Sequence, residues 1–163
     1  GELGAGWAVT MFLMRYERGM YGYGVTTKLV TLLSRLRETM SRDGSAIADR
    51  ERFAHVYVSV LAAQARSAGT VRKLASGATL GPDTSIDKLL FTRAEKEVSD
   101  LILDVQRRQM LTGDGDGAAA EVDTSRAEWW YSRAATIMGG TAEIQRGIVA
   151  DHILGLPREV RAQ

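Results

Sequence analysis

Apolar residues recur every three or four positions along most of the chain, and no stretch alternates apolar with polar long enough to make a strand. With only two prolines in 163 residues, this pattern predicts an almost entirely helical protein. Turn residues divide it into four segments. The first runs from about Trp7 to Ser41 and is closed by Asp43-Gly44-Ser45. A break is expected near Gly19, Gly22 and Gly24, because clustered glycines weaken a helix. The second, near Ala46 to Ser76, places Phe53, Val56, Tyr57, Val60, Leu61 and Gln64 at the spacing of one buried stripe. After the turn from Gly77 to Pro82, Asp83, Thr84 and Ser85 start a third helix. Its apolar face runs through Ile86, Leu89, Leu90, Ala94, Val98, Leu101, Ile102 and Val105 to about Leu111. Gly113-Asp114-Gly115-Asp116-Gly117 ends it. The fourth begins near Ser125, pauses at Gly139-Gly140 and resumes from Thr141 to about Leu154. Four long helices with short turns predict an all-α, up-down-up-down four-helix bundle, with residues 1–163 forming one domain.

Composition narrows the function classes. The 45% hydrophobic content is enough for a core without staples, and the absence of cysteine excludes disulfides and thiolate metal sites and fits a cytoplasmic protein. The 21 basic and 20 acidic residues are mixed along the chain, so there is no electrostatic case for nucleic acid or an anionic membrane. No apolar run approaches the roughly 20 residues that span a bilayer. The Gly-Glu start predicts a truncated or processed chain. The Gly/Asp run from Gly113 to Gly117 is too short for a calcium loop and has no terminal bidentate Glu, so a solvated loop is expected. His55 and His152 have no supporting carboxylate spacing, and no metal site is expected. No Gly-x-Ser-x-Gly nucleophile motif occurs.

Two places carry candidate chemistry. Gly139 and Gly140 allow a tight turn and close approach to a ligand, and Thr141 can cap a helix whose first N–H groups form an anion site. A glycine hinge between two helices with nothing bound explains the same residues. Glu17 is the second place. Its neighbours three and four positions away are Leu13, Met14, Met20 and Tyr21, so its carboxylate projects from an apolar face, while Arg18 points about 100° away. A carboxylate stripped of water has the raised pKa that suits a base for a weakly acidic proton. A Glu paired with a cation from another helix is the alternative.

The segment Ile137-Met138-Gly139-Gly140-Thr141-Ala142-Glu143-Ile144-Gln145-Arg146, running on to Gly155-Leu156-Pro157-Arg158-Glu159, resembles the C-terminal signature of the acyl-CoA dehydrogenases. These flavoenzymes desaturate acyl-CoA thioesters between the α and β carbons. Gly1-Glu2-Leu3 through Trp7 to Tyr16-Glu17-Arg18 is similar to the start of the family's C-terminal helical domain, so the chain looks like the C-terminal third of such a protein. Most members put the catalytic glutamate just before the Gly-Thr of the signature, where this chain has Gly139. A minority, the isovaleryl-CoA and long-chain types, put it in the opening helix before an Arg, where this chain has Glu17-Arg18.

The resemblance therefore implies Glu17 as the catalytic base, with a hydride passing from the β carbon to FAD. It implies Arg18 and Gly140 at the substrate, and Thr141, Ala142 and Glu143 at the FAD, with Gln106 a weaker flavin candidate. It further implies an electron-transferring flavoprotein as acceptor and homo- or hetero-oligomeric assembly through the helices. Two departures stand out. The Arg-x-x-Phe-Gly element usual after the first long helix is replaced by Arg37-Glu38-Thr39-Met40-Ser41-Arg42, and the usual Gln with paired glycines is replaced by Gln106-Arg107-Arg108-Gln109-Met110. Both favour an assembly in which two different subunits share a flavin site. Arg107 and Arg108 can meet a phosphate or face water. Trp129, Trp130 and Tyr131 cannot all face one side of a helix, so one is expected in the core and another at an interface. The domain alone is expected to have little activity. A noncatalytic helical subunit or interaction module is the alternative reading.

Overall fold

A computed structural model describes residues 1–43, 47–107 and 119–157, without the side chains of residues 15, 18, 42–43, 47–48 and 119–122. The described residues form five helices and no strand: α1 (Gly6–Asp43), α2 (Ile47–Ala75), α3 (Thr84–Val105), α4 (Ala119–Ala135) and α5 (Ala142–His152). The all-α expectation is met. The fourth predicted segment is two helices, because the chain turns at Gly139 and Gly140, both at positive φ.

Contacts give the helix directions pair by pair. Gly19 of α1 lies against Thr70 and Leu74 near the end of α2, while Met40 and Phe53 share a cleft at the other end, so α1 and α2 run oppositely. Arg52 bonds Asp104, and Arg66 bonds Asp87, which sets α2 against α3 in the same sense. Lys88 reaches Ala135, and Asp100 meets Trp129, so α3 and α4 are also antiparallel. Helix α3 packs on all four others.

That central position explains the composition of α3. Phe91, Ala94, Val98, Leu101 and Ile102 enter the core with Leu29, Leu33 and Leu36 of α1 and Val56, Val60 and Ala63 of α2. A second stripe, Ser85, Lys88, Thr92, Glu95 and Ser99, is equally buried although polar, and its spacing of three and four keeps it on one face. Helices that look amphipathic in sequence are normally wet on the polar side. Here other helices cover that side too.

Several boundaries and faces differ from expectation. Helix α1 continues unbroken through Gly19, Gly22 and Gly24. A methyl group on Gly19 would come 2.9 Å from Thr70 Cγ2, and one on Gly22 would come 2.8 Å from the Phe91 ring, so these glycines let α2 and α3 approach closely. Leu61 and Leu90, expected in buried stripes, are exposed. On α2 the buried face turns instead toward the small residues Ala63, Ser67 and Thr70, which fit against α1 and α3. Helix α4 starts at Ala119, before Ser125, where alanines favour helix. Asp83 precedes α3 but does not cap it with its side chain. Its carboxylate is held by Lys73 at 2.9 Å and Arg66 at 3.3 Å. Leu111 and the Gly113–Gly117 run lie outside the described residues.

Candidate active site between the first helix and the glycine turn

Glu17 opens on a cleft of about 140 Å³ that it shares with Met14, Tyr21, Lys88, Tyr131 and Gly139. This volume is comparable to a cavity that takes a benzene-sized group, about 150 Å³. The walls are mostly apolar, with three polar features. One is Glu17 itself. Another is Lys88, a buried lysine whose Nζ donates to Ala135 O at 2.6 Å and lies 5.2 Å from the Phe91 ring centre. The third is the pair of hydroxyls of Tyr21 and Tyr131, 3.4 Å apart, which links α1 to α4. Burial, followed by the hydrogen bond to Tyr131, pushes the Tyr21 hydroxyl up from its ordinary value.

Glu17 is exposed in this chain, which corrects the expectation of a carboxylate withdrawn from water. The apolar neighbours invoked for it, Leu13 and Met20, are themselves exposed, because nothing in the described residues packs over that side of α1. The side chain of Arg18 lies outside the described residues.

Gly139 and Gly140 have φ of +66° and +100°, and Gln145 holds the turn they make. The Gln145 side chain is fully buried, and its Nε2 donates to Gly139 O at 3.1 Å and to Gly140 O at 3.5 Å. Its Oε1 is buried with no hydrogen-bond partner among the described residues. A methyl group on Gly140 would come 2.5 Å from Gln145 Nε2, so the position requires glycine both for its φ and for space.

Thr141 caps α5, its Oγ1 accepting from Ile144 N at 3.4 Å. Thr141, Ala142 and Glu143 line a different cleft from Glu17, one of about 660 Å³ that also takes Arg93, Lys96 and Arg146. Its size lies within the roughly 300–1,000 Å³ of small-molecule sites. The Glu143 carboxyl is held below its usual range by its own backbone N–H first, then by Thr141 and Arg146. The first N–H groups of α5 suit a carbonyl-rich group, while the cations of the cleft are balanced by Glu97, Asp100 and Glu143, with Arg93 paired to Glu97 and Arg146 to Glu143. The Thr141 cap and the free N–H groups at the start of α5 fit the carbonyl edge of a flavin ring, and the charge-balanced lining does not select for a phosphate.

The turn therefore serves two clefts, with Gly139 toward Glu17 and Thr141 toward α5. Gln106 joins neither. It is the C-terminal cap of α3, and eighteen residues of rise place it about 27 Å along the axis from Lys88. Its Oε1 is buried without a hydrogen-bond partner among the described residues. Trp129 is half-buried and donates to Asp100 at 2.9 Å, with Arg133 over its ring, whereas Trp130 and Tyr131 are exposed. Among the described residues no group of three or more His, Cys, Asp or Glu side chains could hold a metal, and no helix is long and apolar enough to cross a membrane.

Lys88 and Gln145 are functional candidates that pattern reading passed over. Gln145 sits four residues after the cap, on the face that returns toward the glycines, and that offset was the available signal. Lys88 falls within the polar stripe of α3, which in sequence is indistinguishable from a solvated face.

The chain matches the family model described as acyl-CoA dehydrogenase, C-terminal domain, over residues 4–154. It is 32% identical, over 99% of its length, to acyl-CoA dehydrogenase IpdE1 of Mycolicibacterium smegmatis, and equally to IpdE1 of Mycobacterium tuberculosis. It spans 39% and 41% of those two proteins. A variant of the Tcur3481-Tcur3483 steroid ACAD has the same fold, with a TM-score of 0.80 and 19% identity over 98% of this chain and 42% of that one. By sequence and by fold, the chain belongs to the acyl-CoA dehydrogenase family and carries its C-terminal helical domain.

Proposed function

We propose that this chain acts as one helical domain of an acyl-CoA dehydrogenase, with Glu17 as the base that removes the proton α to the thioester carbonyl. The observation that carries this reading is that Glu17 of α1 and Gly139 of the α4–α5 turn, far apart in sequence, open on one cleft. These are the two places where the family's glutamate is expected, and only one of them has a carboxylate. Glu17 supplies the proton acceptor from one wall. The Gly139–Gly140 turn, held by Gln145, lets the thioester approach the backbone, and the apolar side chains of Met14 and Phe91 exclude water from the far side. Arg18 is assigned to the substrate on its place beside Glu17. A bound FAD would supply the acceptor for the hydride lost from the β carbon. Thr141, Ala142 and Glu143 are the residues that would hold it, and Gln106 would meet a flavin only at a separate site. We assign an acyl-CoA thioester as substrate, an electron-transferring flavoprotein as acceptor, an oligomer as the working state and the cytoplasm as its location.

The test is flavin bleaching by acyl-CoA thioesters in the assembled protein under anaerobic conditions. Glu17→Gln, with its FAD retained, is expected to slow bleaching on the order of 10²–10⁴-fold. Equal rates would remove Glu17 from the chemistry. Exposed Trp7, Phe12, Leu13 and Met20 on α1 favour a second reading, a noncatalytic subunit or interaction module in a heteromeric assembly. Protein that stays colourless with every partner chain would support it.

A further inference from the structure

We propose that Glu95 is a substrate-recognition residue that accepts a hydrogen bond from a hydroxyl at the distal end of the acyl group, beyond the Tyr21–Tyr131 pair. The proposal rests on the reading of Glu17 as the base, since that fixes which end of the ligand is which.

Glu95 lies in the middle of the buried polar stripe of α3 and is only 6% exposed. One of its carboxylate oxygens, Oε2, is buried with no hydrogen-bond partner among the described residues. Buried carboxylate oxygens are nearly always paired, so one that finds no donor among the described residues is open to a donor from a ligand. Glu95 lines a groove of about 470 Å³ between α1, α3 and α4, together with Tyr21, Gly24, Val25, Lys28, Glu128 and Tyr131. Tyr21 and Tyr131 also line the Glu17 cleft, so the two hydroxyls form a wall common to both spaces. Nothing lies within 4 Å of where a side chain would start at Gly24, which leaves the groove open along α1.

Length and charge define the ligand. Glu17 and Val25 are eight residues apart on α1, about 12 Å of helix rise, which is the reach of an extended acyl group of roughly ten carbons. Lys28 and Glu128 already pair with each other at 2.5 Å. An anionic ligand end would meet the carboxylates of both Glu95 and Glu128. A cationic end would require Glu95 to be ionised, whereas burial favours its neutral form. A hydroxyl donates to a carboxylate and, more weakly, to the carbonyl oxygen of a carboxylic acid, so it satisfies Oε2 in either state. A plain alkyl end leaves the oxygen unpaired, and a site built this way discriminates against it.

The experiment compares ω-hydroxydodecanoyl-CoA with dodecanoyl-CoA on the flavin-loaded assembly. Both flavin reduction and equilibrium binding by calorimetry are measured, for the parent, Glu95→Gln and Glu95→Leu. The parent is expected to prefer the hydroxylated thioester at least tenfold in kcat/KM and in affinity. Glu95→Leu abolishes the preference while still reducing its flavin with dodecanoyl-CoA, and Glu95→Gln keeps part of it. Reduction by both thioesters with no preference in the parent overturns the role of Glu95 and leaves the dehydrogenase reading intact. If neither thioester reduces the flavin, that reading fails, and binding alone decides the matter. A preference lost in Glu95→Leu supports the site, and equal affinities overturn it. Circular dichroism of both variants confirms that they fold.

Discussion

Gln145 Nε2 donates to Gly139 O at 3.1 Å, so the side chain of a helix that follows the glycine turn holds the turn that precedes it. The Gln145 side chain is fully buried, and a methyl group on Gly140 would come 2.5 Å from its Nε2. Replacing Gly140 with Ala forces a methyl group into a positive φ against Gln145, and should cost about 1–3 kcal/mol. Gln145→Leu, which leaves the Gly139 and Gly140 carbonyls without this donor, should cost about 1–3 kcal/mol as well. Because both substitutions strike the same contact, the double variant should be destabilised by less than the sum of the two. Urea unfolding of the four proteins checks this, and strict additivity would show that the contact is not shared.

Gly22 and Gly24 of α1 should respond to the same substitution in opposite ways. Gly22→Ala places a methyl group 2.8 Å from Phe91 Cδ1, and a buried ring can give way only by moving the core, so a loss of about 1–3 kcal/mol is expected. Gly24→Ala meets nothing within 4 Å on a continuous helix, and should stabilise by about 0.4–1 kcal/mol. Thermal melts of the two variants should therefore shift in opposite directions. Shifts of the same sign would contradict the close packing of α1 against α3.

Asp87 has a fully buried side chain that accepts from Thr70 Oγ1 at 2.5 Å and from Arg66 Nε at 2.7 Å. Burial raises its pKa, and the bonds to Thr70 and Arg66 oppose that rise. Thr70→Val keeps the shape and removes one donor, leaving a buried oxygen unpaired. A loss of about 1–3 kcal/mol is expected, and Asp87→Asn should recover part of it in the double variant. Denaturant midpoints measure both.

How much of this was legible in the sequence follows from which interactions are local. The helical character, the turn at Gly139 and Gly140, and the cap at Thr141 depend on residues within a few positions of one another, and period and turn chemistry read them directly. The span of α1 is legible, but whether it breaks at its glycines is not, because clustered glycines carry a local cost that close packing against Thr70 and Phe91 outweighs. Lys88 and Glu95 were out of reach for a related reason. Their stripe has the spacing of a solvated face, and only the arrival of α1 and α4 on that side makes it an interior. The position of Glu17 at an apolar surface was legible, but its exposure was not.

Titration of Glu95 should be visible in stability. Burial raises its pKa above the ordinary Glu value of 4.5, with Lys28 and Lys88 opposing and Glu128 reinforcing the shift. The folded chain then holds this proton more tightly than the unfolded chain. Stability should fall as pH rises from about 4.5 through the raised folded value. Asp83 and Asp104 act in the opposite sense. Burial raises Asp83, but Lys73 and Arg66 outweigh it, and Arg52 lowers Asp104, so their contributions are lost as pH falls through folded values below 3.8. Glu95→Gln should make the decline above about pH 4.5 shallower, Asp87 supplying the rest, and leave the acid limb unchanged. Urea midpoints between about pH 3 and 8 test this, and parallel curves for parent and variant would contradict it.

The most direct test of Glu17 as the base isolates proton removal from hydride transfer. The assembled, FAD-loaded protein is incubated in D₂O with a 3-thia acyl-CoA, whose β position carries no hydrogen to lose, and deuterium at the α carbon is followed by mass spectrometry. The parent should exchange the α proton, and Glu17→Gln with equal FAD content should not. Exchange at the parent rate in Glu17→Gln would show that another group is the base and would contradict the account.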